Sequence, residues 1–376
     1  MKVEQVYSIL NSITKELVGD SAVVAEDLSN VVDIGTAIFK TVDVENYVRT
    51  LMDRIGKVIF VNNPYTGSVP SVLMDGWEYG SVTQKIQAEM PEAIENASWE
   101  LKDGTSYDPN VFHKPSVSNK FFNSKVTFEV DMSFTERQVK SAFTSASDLN
   151  AFFSMIETAI QNSMTIKIDS LVMRTINNMS ALTLKDASPL RAINLLAGYN
   201  RQAGGELTAD KAIVTPDFIR YASMQMALQK DRMTKMSKLF NIGGKDRFTP
   251  DAKLHTVMLA DFKEASGVYL QSDTFHDNYV ALPNAESVPY WQGSGTDYAW
   301  NSISSINVKA SGQEEAVSQS GILCVMFDRD ALGVCNSDRR VTTNYNAKGE
   351  FYNNFYKFEA QYFNDTDENF VVFYVA

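Results

Sequence analysis

From Ser147-Asp148 onward, Leu149, Phe153, Ile156, Ile160, Met164, Ile168, Leu171 and Ile176 recur every three to five positions. This spacing predicts one helix reaching about Met179. At ~1.5 Å per residue it would be roughly 45–50 Å long, whereas the average helix has about 11–12 residues. No a/d heptad is sustained, so the helix reads as a spine against which a sheet packs and not as a coiled coil. A chain built round such a spine is α+β, with strands supplied from both sides in sequence.

The strands are legible as period-two runs. Before the spine, Val126, Phe128, Val130 and Met132 alternate with Thr127, Glu129, Asp131 and Ser133, as in a strand with one covered face. Trp99 and Leu101 flank Glu100 as its expected ascending partner, which makes a hairpin with some twenty residues at the tip, near Lys102 to Asn123. Tips of that length in compact domains tend to be functional. Ser133 and Glu136 suggest a capping box for a short helix. After the spine, Ala187 to about Ser311 reads as a separate mixed unit. There Ser188-Pro189 and Thr215-Pro216 each offer an N-cap with proline at N1, and Ala212-Ile213-Val214 reads as a short strand. Asp273 to Ser302, rich in Tyr, Trp, Gly, Asn and Pro, reads as a surface loop. Ile322 to Phe327 is a buried run, Tyr356, Phe358, Ala360 and Tyr362 alternate with polar residues, and Phe370 to Val375 is a last apolar run. Asn364 to Asn369 (NDTDEN) reads as the hairpin turn joining the last two.

The opening of the chain is connective. Val3, Val6, Leu10, Ile13 and Leu17 mark an amphipathic helix, a second helix is expected at about Asp43 to Ile55, and Gly56 to Asn62 reads as a short strand.

Composition narrows the functional classes. With 376 residues, 44% of them hydrophobic and 21% charged, the chain can bury a sizeable core in two or three units or in one large domain with extensions. A net charge of −12 without a Lys/Arg run lacks the footprint of a dedicated nucleic-acid binder. An acidic wall can still face packed DNA, because it does not hold phosphate. Cys324 and Cys335 are too few for a disulfide framework and read as free thiols, Cys335 the more exposed. The start MKVEQVYSIL is too polar for a signal-peptide core and no run approaches eighteen apolar residues, so neither a cleaved leader nor a membrane span is expected.

Chemical motifs fail in turn, and no catalytic, cofactor or metal residue is expected. Asp328-Arg329-Asp330-Ala331-Leu332-Gly333 begins like a calcium loop but has Leu332 and Arg339 where oxygen ligands are needed. Gly243-Gly244-Lys245-Asp246 lacks the Walker spacing and reads as a turn. His113, His255 and His276 fall in three different regions, and no zinc or nucleophile-elbow motif occurs. Cys324 sits in an apolar strand and reads as a buried hydrophobe. Phe112, Phe121, Phe122, Trp291 and Tyr352 are candidates for interface anchors or core. Arg339 and Arg340, with Asp328 and Asp330 nearby in sequence, read as a solvated surface pair or, in the alternative, as candidates for ion pairing between subunits.

An arm, a long β excursion, a spine helix, a mixed unit and returning terminal strands, in that order, resemble the major capsid proteins of tailed bacteriophages with the Hong Kong 97-type fold. VFHKPSVSNKFFNSKVTFEVDMSFTERQVKSAF followed by LNAFFSMIETAIQNSMTIKIDSLVMRTINNM is similar to that family's E-loop return and spine. AIVTPDF is similar to a strand-to-helix step of its axial domain, and GILCVMFDRDALGVCNSDRRVTTNYNAKGEFYNNFYKFEAQYFND to its C-terminal region. The resemblance implies an N-terminal arm with helices at 1–60, an E-loop region at 61–135, and the spine of the peripheral domain at 136–186. It further implies an axial domain with an insertion loop at 187–311 and completing strands at 312–376. It implies a subunit that assembles with itself, as hexamers and pentamers, into an icosahedral shell round a double-stranded DNA genome. The shell would be built in the host bacterial cytoplasm and would become the virion capsid. Portal, scaffold or maturation protease and decoration protein are the implied partners. DNA meets only the shell interior, and no membrane is involved. Residues of about 85–132 are expected to clasp an adjacent subunit, with Lys102, Asp103, His113, Lys114, Lys120, Phe121, Phe122, Asn123, Arg339 and Arg340 as candidate interface residues. An encapsulin-type nanocompartment shell is the alternative with the same fold, and an enzyme with an unrecognised site is the more distant one.

Overall fold

A computed structural model describes residues 72–74, 83–96, 100–135, 146–271, 285–289, 291, 305–310 and 313–376, with positions 11 and 137. The N-terminal helices and strand expected before Asn62, and the residues Trp99 and Glu136, lie outside the described residues.

The spine is helix α1, Ala146–Asp186, 41 residues and so about 61 Å long. It continues past Met179 because Ala181 and Thr183 are still buried, and the chain leaves it through Ala187 at φ 52. From Ile168 to Thr183 every residue is buried or half-buried, so protein surrounds the helix on all sides. This explains why its apolar positions lack a clean one-sided period. Its buried hydroxyls are satisfied within the helix: Thr175 Oγ1 donates to Leu171 O at 2.8 Å and Thr183 Oγ1 to Met179 O at 2.9 Å.

Two sheets flank the spine. One has the order β1 (Leu73–Met74), β11 (Leu332–Asn346), β12 (Phe351–Asn364), β4 (Lys125–Thr135). The alternation predicted for Val126 to Met132 is β4, but its partner is β12, with Phe128 opposite Phe358 and their rings 5.2 Å apart. Ser133 lies within β4 and does not cap a helix; its hydroxyl donates to Asn353 Oδ1 at 2.6 Å. The other sheet has the order β5 (Ala192–Asn194), β13 (Phe370–Tyr374), β10 (Ile322–Asp328), β6 (Leu254–Leu259), β7 (Ala285–Val288). Two ribbons, β2 (Thr83–Ala88) with β3 (Val117–Phe122) and β8 (Ile306–Val308) with β9 (Val317–Gln319), complete the described strands.

The five-stranded sheet is covered on both faces. Val257, Val325, Phe327 and Val372 face the core shared with the spine. Leu254, Met258, Leu323, Met326 and Phe373 face a second core beneath helices α2 (Leu195–Ala203), α4 (Pro216–Met233) and α5 (Ala260–Gln271). Double-sided burial requires unbroken apolar strands, which is how the runs at 322 and 370 read. Gly321 opens β10 at φ +69, where a Cβ would lie 2.1 Å from Val375 O; only glycine fits there.

Several local expectations are corrected. No helix starts at Pro189: the chain makes a turn, with Ala192 N donating to Ser188 O at 2.8 Å, because the next residues pair with β13. Thr215-Pro216 does open α4. Ala212 ends the short helix α3, Ala209–Ala212, and the three-residue run forms no strand, since β13, β10 and β6 fill the middle of the sheet. Part of the expected surface loop is core: Ala285–Val288 pairs with β6, and buried Trp291 donates from Nε1 to Ile322 O at 3.0 Å. Cys335 is also buried, in β11 beside β1. The turn 364–369 is not a hairpin, because β12 and β13 belong to different sheets.

Candidate assembly interface

The residues that ascend opposite β3 are 83–88, not Trp99 to Leu101. Leu101 lies in the long connection 89–116 and is exposed. The β2–β3 ribbon alternates strictly. Lys85 and Gln87, with Ser118, Lys120 and Phe122, turn towards the body of the subunit, while Ile86, Ala88, Val117 and Phe121 are exposed on the other face. Lys85 stands directly opposite Lys120 in the register, and like charges so placed repel. The turn after β12 neutralises them. Lys85 Nζ lies 2.8 Å from both Asp365 Oδ2 and Glu368 Oε1 and donates to Asp330 O at 3.1 Å. Lys120 Nζ lies 2.7 Å from Asp365 Oδ1 and 2.6 Å from Asp367 Oδ2.

Around this centre, Gln87 Nε2 donates to Glu368 Oε1 at 2.6 Å and Arg247 Nε reaches the same oxygen at 3.3 Å. Arg247 also hydrogen-bonds Gln87. Phe122 packs on Phe363 with ring centroids 5.0 Å apart, and Glu89 meets Lys245 at 3.3 Å. Burial alone would push the Asp365 carboxyl up, but the hydrogen bonds and charges of Lys120 and Lys85 outweigh it and hold it below the usual carboxylate range. Burial pulls Lys120 down, and its bonds to Asp365 and Asp367 more than reverse this and raise it. The ribbon is therefore bolted at its root to the turn 364–369. Gly243 makes room for that turn, since a Cβ there would lie 1.9 Å from Asp367 Oδ1.

Beyond the bolt, every described residue from Glu89 to Val117 is exposed, including Ile94 and Phe112, each 85% exposed. Lys102, Asp103, His113 and Lys114 all lie on this projection. Phe121 and Asn123 are exposed near the root, whereas Lys120 and Phe122 are engaged with their own chain. Arg339 and Arg340 are elsewhere, in β11 opposite Phe358 and Lys357, and Arg340 pairs with Asp338 at 3.2 Å. Asp330 pairs with Lys253 at 2.7 Å. Trp291 and Tyr352 are core residues. The residues missed from sequence are Lys85, Gln87, Arg247, Asp365, Asp367 and Glu368. The acid-dense NDTDEN turn was the available signal, but nothing local says which cations it meets.

The described residues hold no cluster of three or more His, Cys, Asp or Glu placed to bind a metal, and no described helix is long and apolar enough to cross a membrane. Burial pushes the Cys324 thiol up, away from reactivity.

The described chain thus sets a long spine between two sheets, with a bolted hairpin projecting from the body. Residues 10–374 match the family model described as Phi29-like phage major capsid protein. The chain belongs to that family. No curated protein matches this capsid protein closely. Its structure is similar to one described as the capsid structure of Staphylococcus phage Andhra, with a TM-score of 0.55 at 8% identity over 84% of this chain and 86% of that one. It is also similar to a chain of the structure described as head fiber and inner core protein gp22 of native bacteriophage P68, with a TM-score of 0.53 at 9% identity over the same shares, 84% and 86%. The fold is the Hong Kong 97-type capsid fold, and the capsid protein's place is the virion capsid. These matches give the encapsulin alternative no support.

Proposed function

We propose that this major capsid protein closes an icosahedral shell of hexamers and pentamers round double-stranded DNA by laying the projection 89–116 across the adjacent subunit. The observation that carries this reading is the contrast between a root fixed by buried ion pairs and a long tip whose described side chains all face solvent. A two-stranded ribbon is marginal by itself, and a tip with bare Ile94, Leu101, Val111 and Phe112 gains stability only by covering another surface. A subunit that overlaps its neighbours buries area no monomer buries, and modest contact energies add over many copies.

In this reading residues 1–60 are the N-terminal arm, 61–135 the E-loop region, 136–186 the peripheral spine and 187–311 the axial domain, with the strands of 312–376 completing the axial and peripheral domains. The protein has no catalytic role, and portal, scaffold or maturation protease and decoration protein are its partners. Replacing residues 91–114 with a short Gly/Ser linker should leave a folded subunit that makes no closed shells, as seen by negative-stain microscopy. Normal shells from that variant would overturn the proposal.

A further inference from the structure

Two stretches of this subunit carry opposite charge, and each leaves apolar side chains bare. In residues 89–116 six acidic side chains stand against Lys102 and Lys114, a balance of −4. From Leu228 to Phe248, the end of α4 and the turns after it, six lysines and arginines stand against Asp231 and Asp246, a balance of +4 in a chain whose net charge is −12. In the second stretch Met236, Leu239 and Phe248 are each about half exposed, at 47%, 50% and 50%, and Arg232 and Lys235 are exposed beside them. Four of those cations already face carboxylates of their own subunit, Lys230 with Asp251, Lys238 with Asp246, Lys245 with Glu89 and Arg247 with Glu368, so the charge beside this apolar centre comes from Arg232 and Lys235, and the charge beside Ile94 on the tip from Glu92 and Glu95.

Within one subunit the two do not cover each other. The ribbon root touches the basic stretch through Glu89 and Lys245, yet the described tip residues and Met236, Leu239 and Phe248 all remain exposed in the same chain. A connection of that length, folded back at its middle, reaches at most about 50 Å, enough to leave its own subunit. Tip and receiving surface are different patches, so their contact is heterologous, the kind that builds a ring when its rotation closes.

We propose that the acidic, apolar tip of one subunit's hairpin seats on the basic, apolar surface 228–248 of the next subunit. This rests on the clasp reading above and adds the surface that receives the clasp. DNA is the competing occupant of a basic patch, but phosphate contact leaves Met236, Leu239 and Phe248 without a use, whereas an apolar tip covers them.

The test uses the full chain in assembled particles. In an Ile94→Cys, Leu239→Cys variant the engineered thiols are the accessible ones, since Cys324 and Cys335 are buried. A bis-maleimide with a short spacer should give a covalent ladder on denaturing gels, absent from either single variant. Glu92→Lys with Glu95→Lys, and Lys235→Glu with Lys238→Glu, should each lower shell yield at least tenfold, and all four together should restore it to within threefold. Particles that form normally without a ladder, or a four-fold variant no better than either pair, would overturn the receiving surface. So would Lys235→Glu with Lys238→Glu particles that assemble normally but retain less DNA, which would assign the patch to the genome. In each of those cases the linker variant still fails to assemble and the clasp reading stands; if the linker variant assembles, the clasp reading itself falls.

Discussion

Replacing Lys85 with Met keeps the apolar stem and removes the charge that joins the ribbon to the turn 364–369. Lys85 Nζ is shared by Asp365 and Glu368 at 2.8 Å, and those carboxylates are 0% and 6% exposed. A hydrogen bond to a charged group contributes about 1.5–3 kcal/mol, and removing one partner of a buried pair costs about 3–5 kcal/mol. Lys120 and Arg247 still neutralise the two carboxylates, so the lower end applies, about 3 kcal/mol. Among the described strands β2 and β3 pair only with each other, so the loss falls on ribbon docking and not on the core. At about 1.36 kcal/mol per decade, ribbon opening becomes about 150-fold more frequent. Hydrogen exchange on the isolated subunit measures this directly. Amides of residues 84–88 and 117–122 should exchange about 150-fold faster in Lys85→Met, while those of β10 and β13 stay within about threefold. Ribbon protection within threefold of the parent protein would refute the reasoning. So would an equal loss in β10, which would make the bolt part of global stability.

Ribbon docking should also depend on pH at both extremes. Asp365 is held below its ordinary 3.8, so its contribution is complete above that pH and is lost as pH falls through the depressed value in the folded protein. Lys120 is held above its ordinary 10.5, so its contribution is complete below that pH and is lost as pH rises through the raised value. Protection of the amides of 84–88 and 117–122, corrected for the intrinsic pH dependence of exchange, should be flat between these limits; a transition near pH 6 or 7 would contradict the assignment. Gly321→Ala should destabilise the fold by about 2 kcal/mol or more through strain at positive φ and the clash with Val375 O. Gly205→Ala, with nothing within 4 Å, should change the denaturation midpoint little. Equal midpoints for the two variants would contradict this account of the β10 entry.

Much of this architecture is written in local pattern. The spine, the alternation of β4 and β12, and the doubly buried runs of β10 and β13 each follow from apolar spacing, because the period of burial is set by the geometry of the element itself. Strand partners are not local. β4 pairs with β12 across more than two hundred residues of chain, and no alternation within 126–132 encodes which strand lies alongside. The same limit misplaced the hairpin's ascending strand: Trp99 and Leu101 offered apolar alternation, whereas 83–88 offered Lys85 and Gln87, polar residues that face inward only because Asp365 and Glu368 are waiting there. The turn 364–369 read as a hairpin for the same reason, since its composition specifies a reversal but not the sheet the chain enters next.

The sequence by itself thus determined the spine, the strands β4, β10, β12 and β13, the capsid-type order in which they occur, and the presence of a long projecting loop before β4. These depend on local geometry and on the apolar content available for burial. Tertiary structure alone decided that Lys85, Lys120 and Arg247 converge on Asp365, Asp367 and Glu368, and that the loop is thereby fixed at its root. Opposite charges far apart in the chain attract whichever partner the packed core brings within reach, and that choice is made by the two sheets closing round the spine.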